Sequence, residues 1–327
     1  MCHSVENEPK RMSQNHKITV MKKVLFIFLL GMLCARVSVA QEEAIYNHYI
    51  LNPFLINPGA AGSDESANRV FFNYRSQWAG FPGSPKSYAG SWNGPIGNRL
   101  GLGAIVFAEN IAQLSRVRAQ ASYAYRYSDD KLNMGIGFST EFHRVELRNE
   151  FLNDPFYEEG DELIAEKMNG VNAFDVTLGF FGTYDQRTFF GVSLPNLIRN
   201  RLDEISDPDG LNNSPIRYFT ALVGHRFEVP GRKIELEPSL AARKLRGLPL
   251  IVDVNLKATL MDGKLLAGLN YTAGLESGWF GLLFGVRPEE SIQLVYSFHS
   301  YAGEFQSYST GSHEISIGFF LPRKEKK

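Results

Sequence analysis

The segment Leu132-Asn133-Met134-Gly135-Ile136-Gly137-Phe138-Ser139 alternates apolar side chains with small or polar ones at every step. Lys233–Leu240, Leu250–Leu260, Ser291–Phe298 and Glu314–Leu321 do the same, Ile251 being the exception within the second of these. A period of two places successive side chains on opposite faces of an extended strand, so each segment predicts a β-strand with one apolar face. No stretch of comparable length keeps a helical period. The pattern predicts an all-β chain, although alternation alone fits a soluble sandwich as well as a barrel.

The links between strands favour the barrel. Short links rich in Gly, Pro, Asp and Asn lie at Asn93–Asn98, Ser128–Lys131, Thr183–Arg187, Val229–Arg232, Met261–Lys264 and Arg287–Glu290, as hairpin turns require. They alternate with mostly longer links at Trp78–Pro85, Arg144–Gly170, Pro195–Pro215, Thr272–Gly278 and Ser300–Ser312. Glu109–Gln113 and Leu245–Leu248 are brief where length is expected. Short turns at one end and long loops at the other are the plan of an outer-membrane barrel. Strands starting near Val70, Ser87, Leu100, Leu114, Leu132, Val171, Thr188, Ile216, Lys233, Pro249, Leu265, Trp279, Ser291 and His313 number about 14. The expected fold is a transmembrane antiparallel β-barrel over residues 69–322. A non-strand lead over 41–68, periplasmic or plug-like, precedes it, and a basic tail at 323–327 follows.

In that barrel the apolar faces meet lipid. Tyr74, Trp78, Tyr88, Trp92, Tyr123, Tyr125, Tyr127, Tyr271, Trp279 and Tyr296 are expected in interfacial girdles. Gln120, Ser122, Glu141, His143, Lys233, Glu235, Glu237, Arg243, Asp253, Asn255, Lys257 and Gln293 are expected to point inward. They carry both signs, which suits a paired, plugged interior. Gly135 and Gly137 would face the same lumen, where small residues admit bulk from elsewhere.

Composition narrows the classes further. Among 327 residues, 34 Lys+Arg nearly balance 35 Asp+Glu, and 13% are aromatic. Neither disorder nor a basic nucleic-acid surface fits such numbers. A mean hydropathy of −0.19 is too polar for a bundle of membrane helices. The one long apolar run, Val24–Ala35, follows Lys22-Lys23 and precedes Ser38-Val39-Ala40. This predicts a secretory signal over 21–40, cut after Ala40, with residues 1–20 an upstream extension outside the mature chain. Leu33 before Cys34 argues against lipidation. Both cysteines, Cys2 and Cys34, precede the cut, so no disulfide, thiolate metal site or Cys nucleophile is expected beyond it.

Catalytic chemistry finds little footing. His48, His143, His225, His299 and His313 show no metal-ligand spacing, and no G-x-S-x-G occurs. Gly101-Leu102-Gly103 lies inside a strand, unlike a dinucleotide fingerprint. Asp207-Pro208-Asp209-Gly210 lacks the spacing and distal Glu of a calcium loop. No catalytic residue, cofactor or metal is expected. Glu146–Glu166 holds eight carboxylates against Arg148, and is either a functional outer loop or a solvated one.

One segment departs from the strand pattern. Ile45-Tyr46-Asn47-His48-Tyr49-Ile50-Leu51-Asn52-Pro53-Phe54-Leu55-Ile56-Asn57-Pro58-Gly59 carries two Asn-Pro steps three apolar residues apart. Proline cannot donate to a ladder, so this is not a strand. With Tyr74-Arg75-Ser76-Gln77-Trp78 and the following Gly80 and Pro82, it resembles the PorP/SprF family of outer-membrane proteins of the Bacteroidetes type IX secretion system. Gly101-Leu102-Gly103, Asn153-Asp154-Pro155, Glu237-Pro238-Ser239, Tyr296-Ser297-Phe298 and His313-Glu314 extend the likeness. The family-motif positions are Asn52, Pro53, Asn57, Pro58, Tyr74, Arg75, Gln77, Trp78, His313 and Glu314. The chain departs from many barrels in following Phe320 with a basic tail. The resemblance implies a non-enzymatic outer-membrane barrel that supports secretion or surface attachment of large adhesin-like cargo, including that of gliding motility. Loops 144–170, 195–215 and 300–312 would engage the cargo, while the short turns and the lead would face periplasmic secretion components. Rival readings are a transporter or porin for a hydrophobic or small solute, a membrane lipase, and a soluble sandwich.

Overall fold

The computed structural model describes residues 46–148, 164, 168–198, 217–274, 278–301 and 309–323. The signal segment and its cut, most of the acidic stretch 146–166, the Asp207 turn, the Asn153-Asp154-Pro155 step and residues 324–327 lie outside them. The strands are β1 (Ala67–Ser76), β2 (Lys86–Ile96), β3 (Leu100–Ile111), β4 (Leu114–Ser128), β5 (Leu132–Leu147), β6 (Val171–Tyr184), β7 (Thr188–Leu194), β8 (Phe219–His225), β9 (Phe227–Glu228), β10 (Ile234–Lys244), β11 (Leu250–Leu260), β12 (Leu265–Ala273), β13 (Trp279–Glu289), β14 (Ile292–Tyr301) and β15 (Ser312–Pro322). Apart from β8, which pairs with β10 rather than β9, each pairs antiparallel with the next, and β1 pairs with β15 from Ala67↔Pro322 to Ser76↔His313, which closes the sheet. β8 and β9 both lie against β10 and form one stave broken at Arg226, so the wall is a closed barrel of 14 staves.

Turn chemistry sets the hairpins. Asp185 and Gln186, like Met261 and Asp262, have positive φ (52° and 53°, 54° and 55°), the left-handed backbone that matches the twist of a tight hairpin. The two brief long-end links, near Ala112 and Leu245–Leu248, are short here too. Strand starts fall within three residues of the sequence expectation throughout. The difference that matters is β1, which begins at Ala67.

The barrel is polar inside and apolar outside. On β13, Phe280, Leu282 and Phe284 are each about 60% exposed on the outer wall, while Trp279 and Leu283, of the opposite parity, are buried. Inward positions hold Ser139 and Glu141, Asp253 and Asn255, Ser297 and His299, and Glu314 and Ser316, all buried. That inversion fits a wall with lipid on its outer side. Most of the expected lumen residues are there. Lys233 is not: it sits in the turn before β10, its side chain 73% exposed and paired with Asp262. Trp279 corrects the girdle. Its parity on β13 is opposite to Phe280, so it turns inward and packs edge-on against Tyr301 at 5.2 Å. Tyr88, Trp92, Tyr123, Tyr125, Tyr127, Tyr271 and Tyr296 do face outward.

The lumen is occupied by the lead. Three 3₁₀ turns, His48–Ile50, Pro53–Leu55 and Pro58–Ala60, fold into it. Each Asn-Pro step opens a turn, where the fixed φ of proline fits and its missing N–H costs nothing. Asn57 caps its turn by accepting from the Gly59 amide at 2.9 Å. Over residues 46–61 the lead therefore takes the plug-like one of its two expected placements. Tyr46, Tyr49, Phe54, Leu55, Ala60 and Ala61 form the main apolar cluster with Phe107, Ile105 and Phe181 of the wall.

Candidate functional site

The lead descends through the barrel. Tyr46 lies near the long-link end, where Arg243 donates to its carbonyl at 3.2 Å and Arg118 to its hydroxyl at 2.9 Å. Ala61 lies near the short-turn end, its carbonyl accepting from Arg126 at 3.2 Å. Between them the wall gives way to the lead's backbone. A Cβ at Gly135 would overlap the Gly59 carbonyl, and one at Gly101 the Ala61 carbonyl. The glycines, which the strand pattern alone showed as small inward residues, therefore admit the lead's backbone against the wall.

Two buried polar clusters hold the plug. In the first, Glu314 of β15 is fully buried and accepts from Arg75 (3.1 Å), Asn73 (2.8 Å) and the backbone amide of His48 (3.2 Å). The His48 ring bridges Ser316 (2.6 Å) and Ser297 (2.9 Å), and Asn47 meets His299 at 3.2 Å. One carboxylate thus ties two wall strands and the lead together. In the second, Arg243 and Asp253 pair at 2.7 Å with both side chains about 1% exposed. Tyr49 donates to Asp253 at 3.2 Å, accepts from Asn255 at 3.0 Å, and lies under the Arg243 guanidinium at 5.1 Å. A buried charge is tolerable when paired and hydrogen-bonded, and here the lead supplies part of that pairing.

The motif positions divide between these faces. Asn52 is buried and donates to Ser91 at 3.2 Å, and Asn57 donates to the Phe180 carbonyl at 2.9 Å. Pro53 and Pro58 open their turns. Arg75 and Glu314 meet, and Gln77, two residues after Arg75, is buried. Tyr74 and His313 point outward instead: Tyr74 stacks on Tyr88 at 5.1 Å, and the His313 ring bonds the Tyr296 hydroxyl at 2.8 Å. Trp78, at φ 53°, bends the chain over the long-link end and joins Trp279, Tyr301, Ile251, Leu245 and Leu248. Sequence reasoning missed His48, Asn73, Ser297 and Ser316 as plug contacts. For Asn73, Ser297 and Ser316 the inward parity on β1, β14 and β15 was the available signal, whereas His48 lies in the lead and had none.

At the short-turn end a chamber of about 1320 Å³ opens beneath the lead, lined by Ile50, Leu51, Phe181, Leu222, Arg69 and Arg226 among others. At its rim Arg69 pairs with Asp64 at 3.0 Å. Burial alone would raise the Asp64 carboxyl, but Arg69 and hydrogen bonds from Ser66 outweigh it and leave it below the ordinary value. Among the described residues no helix is long and apolar enough to cross a membrane, and no group of three or more His, Cys, Asp or Glu could hold a metal ion.

The family model described as type IX secretion system membrane protein PorP/SprF matches residues 38–319. No curated protein matches the sequence. Among solved structures, the CymD monoaromatic hydrocarbon channel superposes with a TM-score of 0.51 at 12% identity, over 88% of this chain and 95% of that one. The toluene transporter TbuX of Ralstonia pickettii gives 0.50 at 10% identity, over 89% and 97%. At such identities the likeness shows the barrel fold alone.

Proposed function

This chain belongs to the PorP/SprF family of type IX secretion system membrane proteins, and from that premise we propose that it is a non-enzymatic outer-membrane barrel supporting the secretion or surface anchoring of a large cargo such as an adhesin. The observation that carries this reading is the filled lumen. A lead tied to the wall through Glu314 and Asp253 leaves the barrel better suited to hold a partner than to pass a solute. Its partners are then outer-membrane lipid, secreted cargo on the long-loop side, and secretion components reaching the short-turn side and its chamber.

Two measurements test the proposal. Deleting the chain should strip one or a few large proteins from the cell surface while leaving small-solute permeability unchanged. The purified barrel in a planar bilayer should show no steady conductance. Saturable solute uptake, or stable conductance steps with a full surface proteome after deletion, would replace the anchor with a transporter.

A further inference from the structure

The cations around the short-turn chamber mostly have carboxylates of their own. Arg69 pairs with Asp64, Arg226 with Glu235 at 2.9 Å and Glu237 at 3.1 Å, and Lys257 with Glu237 at 2.7 Å. Lys131 and Arg232 stand exposed in the turns. Arg287, near the end of β13, differs from all of these. It is partly buried, and among the described residues it forms no ion pair. Its Nη2 donates to the side-chain oxygen of buried Gln293 at 3.3 Å, and its Nε is buried without a hydrogen-bond partner.

The neighbours of Arg287 define what it lacks. Its guanidinium lies 5.0 Å from the centre of the Phe320 ring, and Arg69 approaches the same ring at 5.5 Å. Two cations share one ring, and Asp64 balances one of them. A guanidinium presents a planar fork of donors that matches a carboxylate. Gln293 gives its oxygen to Arg287, which leaves its amide nitrogen to donate to the same acceptor. Beside this polar group the surface turns apolar, where Leu51 of the lead and Leu266 of β12 pack in one cluster with Phe320. All of these side chains line the chamber. The site suits a carboxylate carried on an apolar stem.

The shape of the chamber selects the bearer. At about 1320 Å³ it exceeds the roughly 300–1,000 Å³ of small-molecule pockets. It opens at the short-turn end, and the lead roofs it through Ile50, Leu51 and Pro53. An extended chain entering a space closed at its far side leads with one end. Excess positive charge selects the carboxyl end over the amino end. The chain's own tail has the wrong charge, since residues 324–327 carry three lysines and one glutamate.

We propose that this chamber captures the free C-terminus of an extended segment of a periplasmic partner protein. The terminal carboxylate sits on Arg287 and Gln293, and an apolar last side chain lies against Leu51 and Leu266. This role rests on the reading that secretion components reach the short-turn side, and it names the part of such a component that enters. The probe is a fluorescein-labelled peptide, Ser-Gly-Ser-Gly-Ser-Leu, with a free C-terminus. It is titrated into the intact barrel in nanodiscs and followed by anisotropy. It should bind at least about tenfold more tightly than the same peptide ending in an amide. Arg287→Gln should abolish that preference. Arg287→Lys should keep part of it, because the charge remains and the fork is lost. Heat-modifiable migration should show both variants folded. Should Arg287→Gln not fold, Gln293→Glu decides, since a carboxylate fixed beside Arg287 should remove the preference as well. Equal binding of acid and amide, or affinity weaker than about 1 mM, overturns the proposal. So does a folded Arg287→Gln or Gln293→Glu barrel that keeps the preference. A chain ending at Arg323 should bind the probe as the full chain does, and a tenfold gain would give the site to the chain's own tail and overturn the proposal. An intact surface proteome after deletion of the barrel, beside acid-selective binding, sinks the anchoring role and leaves the site standing. Loss of a surface protein without acid-selective binding does the reverse.

Discussion

Glu314 shows how much one side chain can carry. Its carboxylate meets Arg75, Asn73 and the His48 amide in a site closed to water. Removing one partner of a buried ion pair strands the other, so Glu314→Ala is expected to cost about 3–5 kcal/mol. Replacing both Arg75 and Glu314 with methionine should cost much less than the two single changes together, because no charge is left orphaned. Denaturant unfolding in detergent micelles measures both. Asp64 is the contrasting case, a rim carboxylate whose pair with Arg69 is partly in water. Asp64→Asn should cost under about 1 kcal/mol. Because its carboxyl is held below the ordinary 3.8, the pair contributes above that pH and is lost as pH falls through the lower folded value. The sequence showed Arg75, Glu314, Arg243 and Asp253 as polar positions on alternating strands. It could not show that Arg75 meets Glu314, since that depends on β1 pairing β15 in one register across 239 positions of chain.

At the scale of the element, the lead and the wall are complementary in volume. Gly101 and Gly135 sit where the lead's carbonyls touch the wall. Gly135→Leu should therefore expel the Pro58–Ala60 turn while leaving strand content intact. Limited proteolysis should then cleave within residues 46–61, and circular dichroism should stay unchanged. The strands were legible because a two-residue period and turn residues are local properties. The lead was legible as a non-strand, through its two Asn-Pro steps, but its place was not. Residues such as Tyr46, Tyr49 and Phe54 are apolar enough for a barrel core, and the same composition suits a segment lying outside. Trp279 failed for a related reason: near a strand end, aromatic character suggests an interface, and a single step of parity sends the ring inward.

For the whole molecule, the inverted arrangement predicts what removing the plug would do. A barrel lacking residues 46–61 should insert, conduct ions, and unfold at lower denaturant than the intact chain, since Glu314 and Asp253 lose partners. Bilayer recordings on the truncated and intact proteins compare directly. The lead's downhill course also bears on how the barrel can be made. Ala67 opens β1 at the short-turn end and pairs with Pro322 at the seam, while Tyr46 sits deepest, toward the opposite mouth. Once that seam has zipped, the segment could enter only tip-first through the short-turn mouth, reversing on itself beside β1. The geometry thus predicts an order of assembly, like a ship built inside its bottle, with the contents in position before the glass is sealed. A lead that docks too slowly would leave the first and last strands waiting apart, so defects in residues 46–61 should surface first as barrels arrested at the seam.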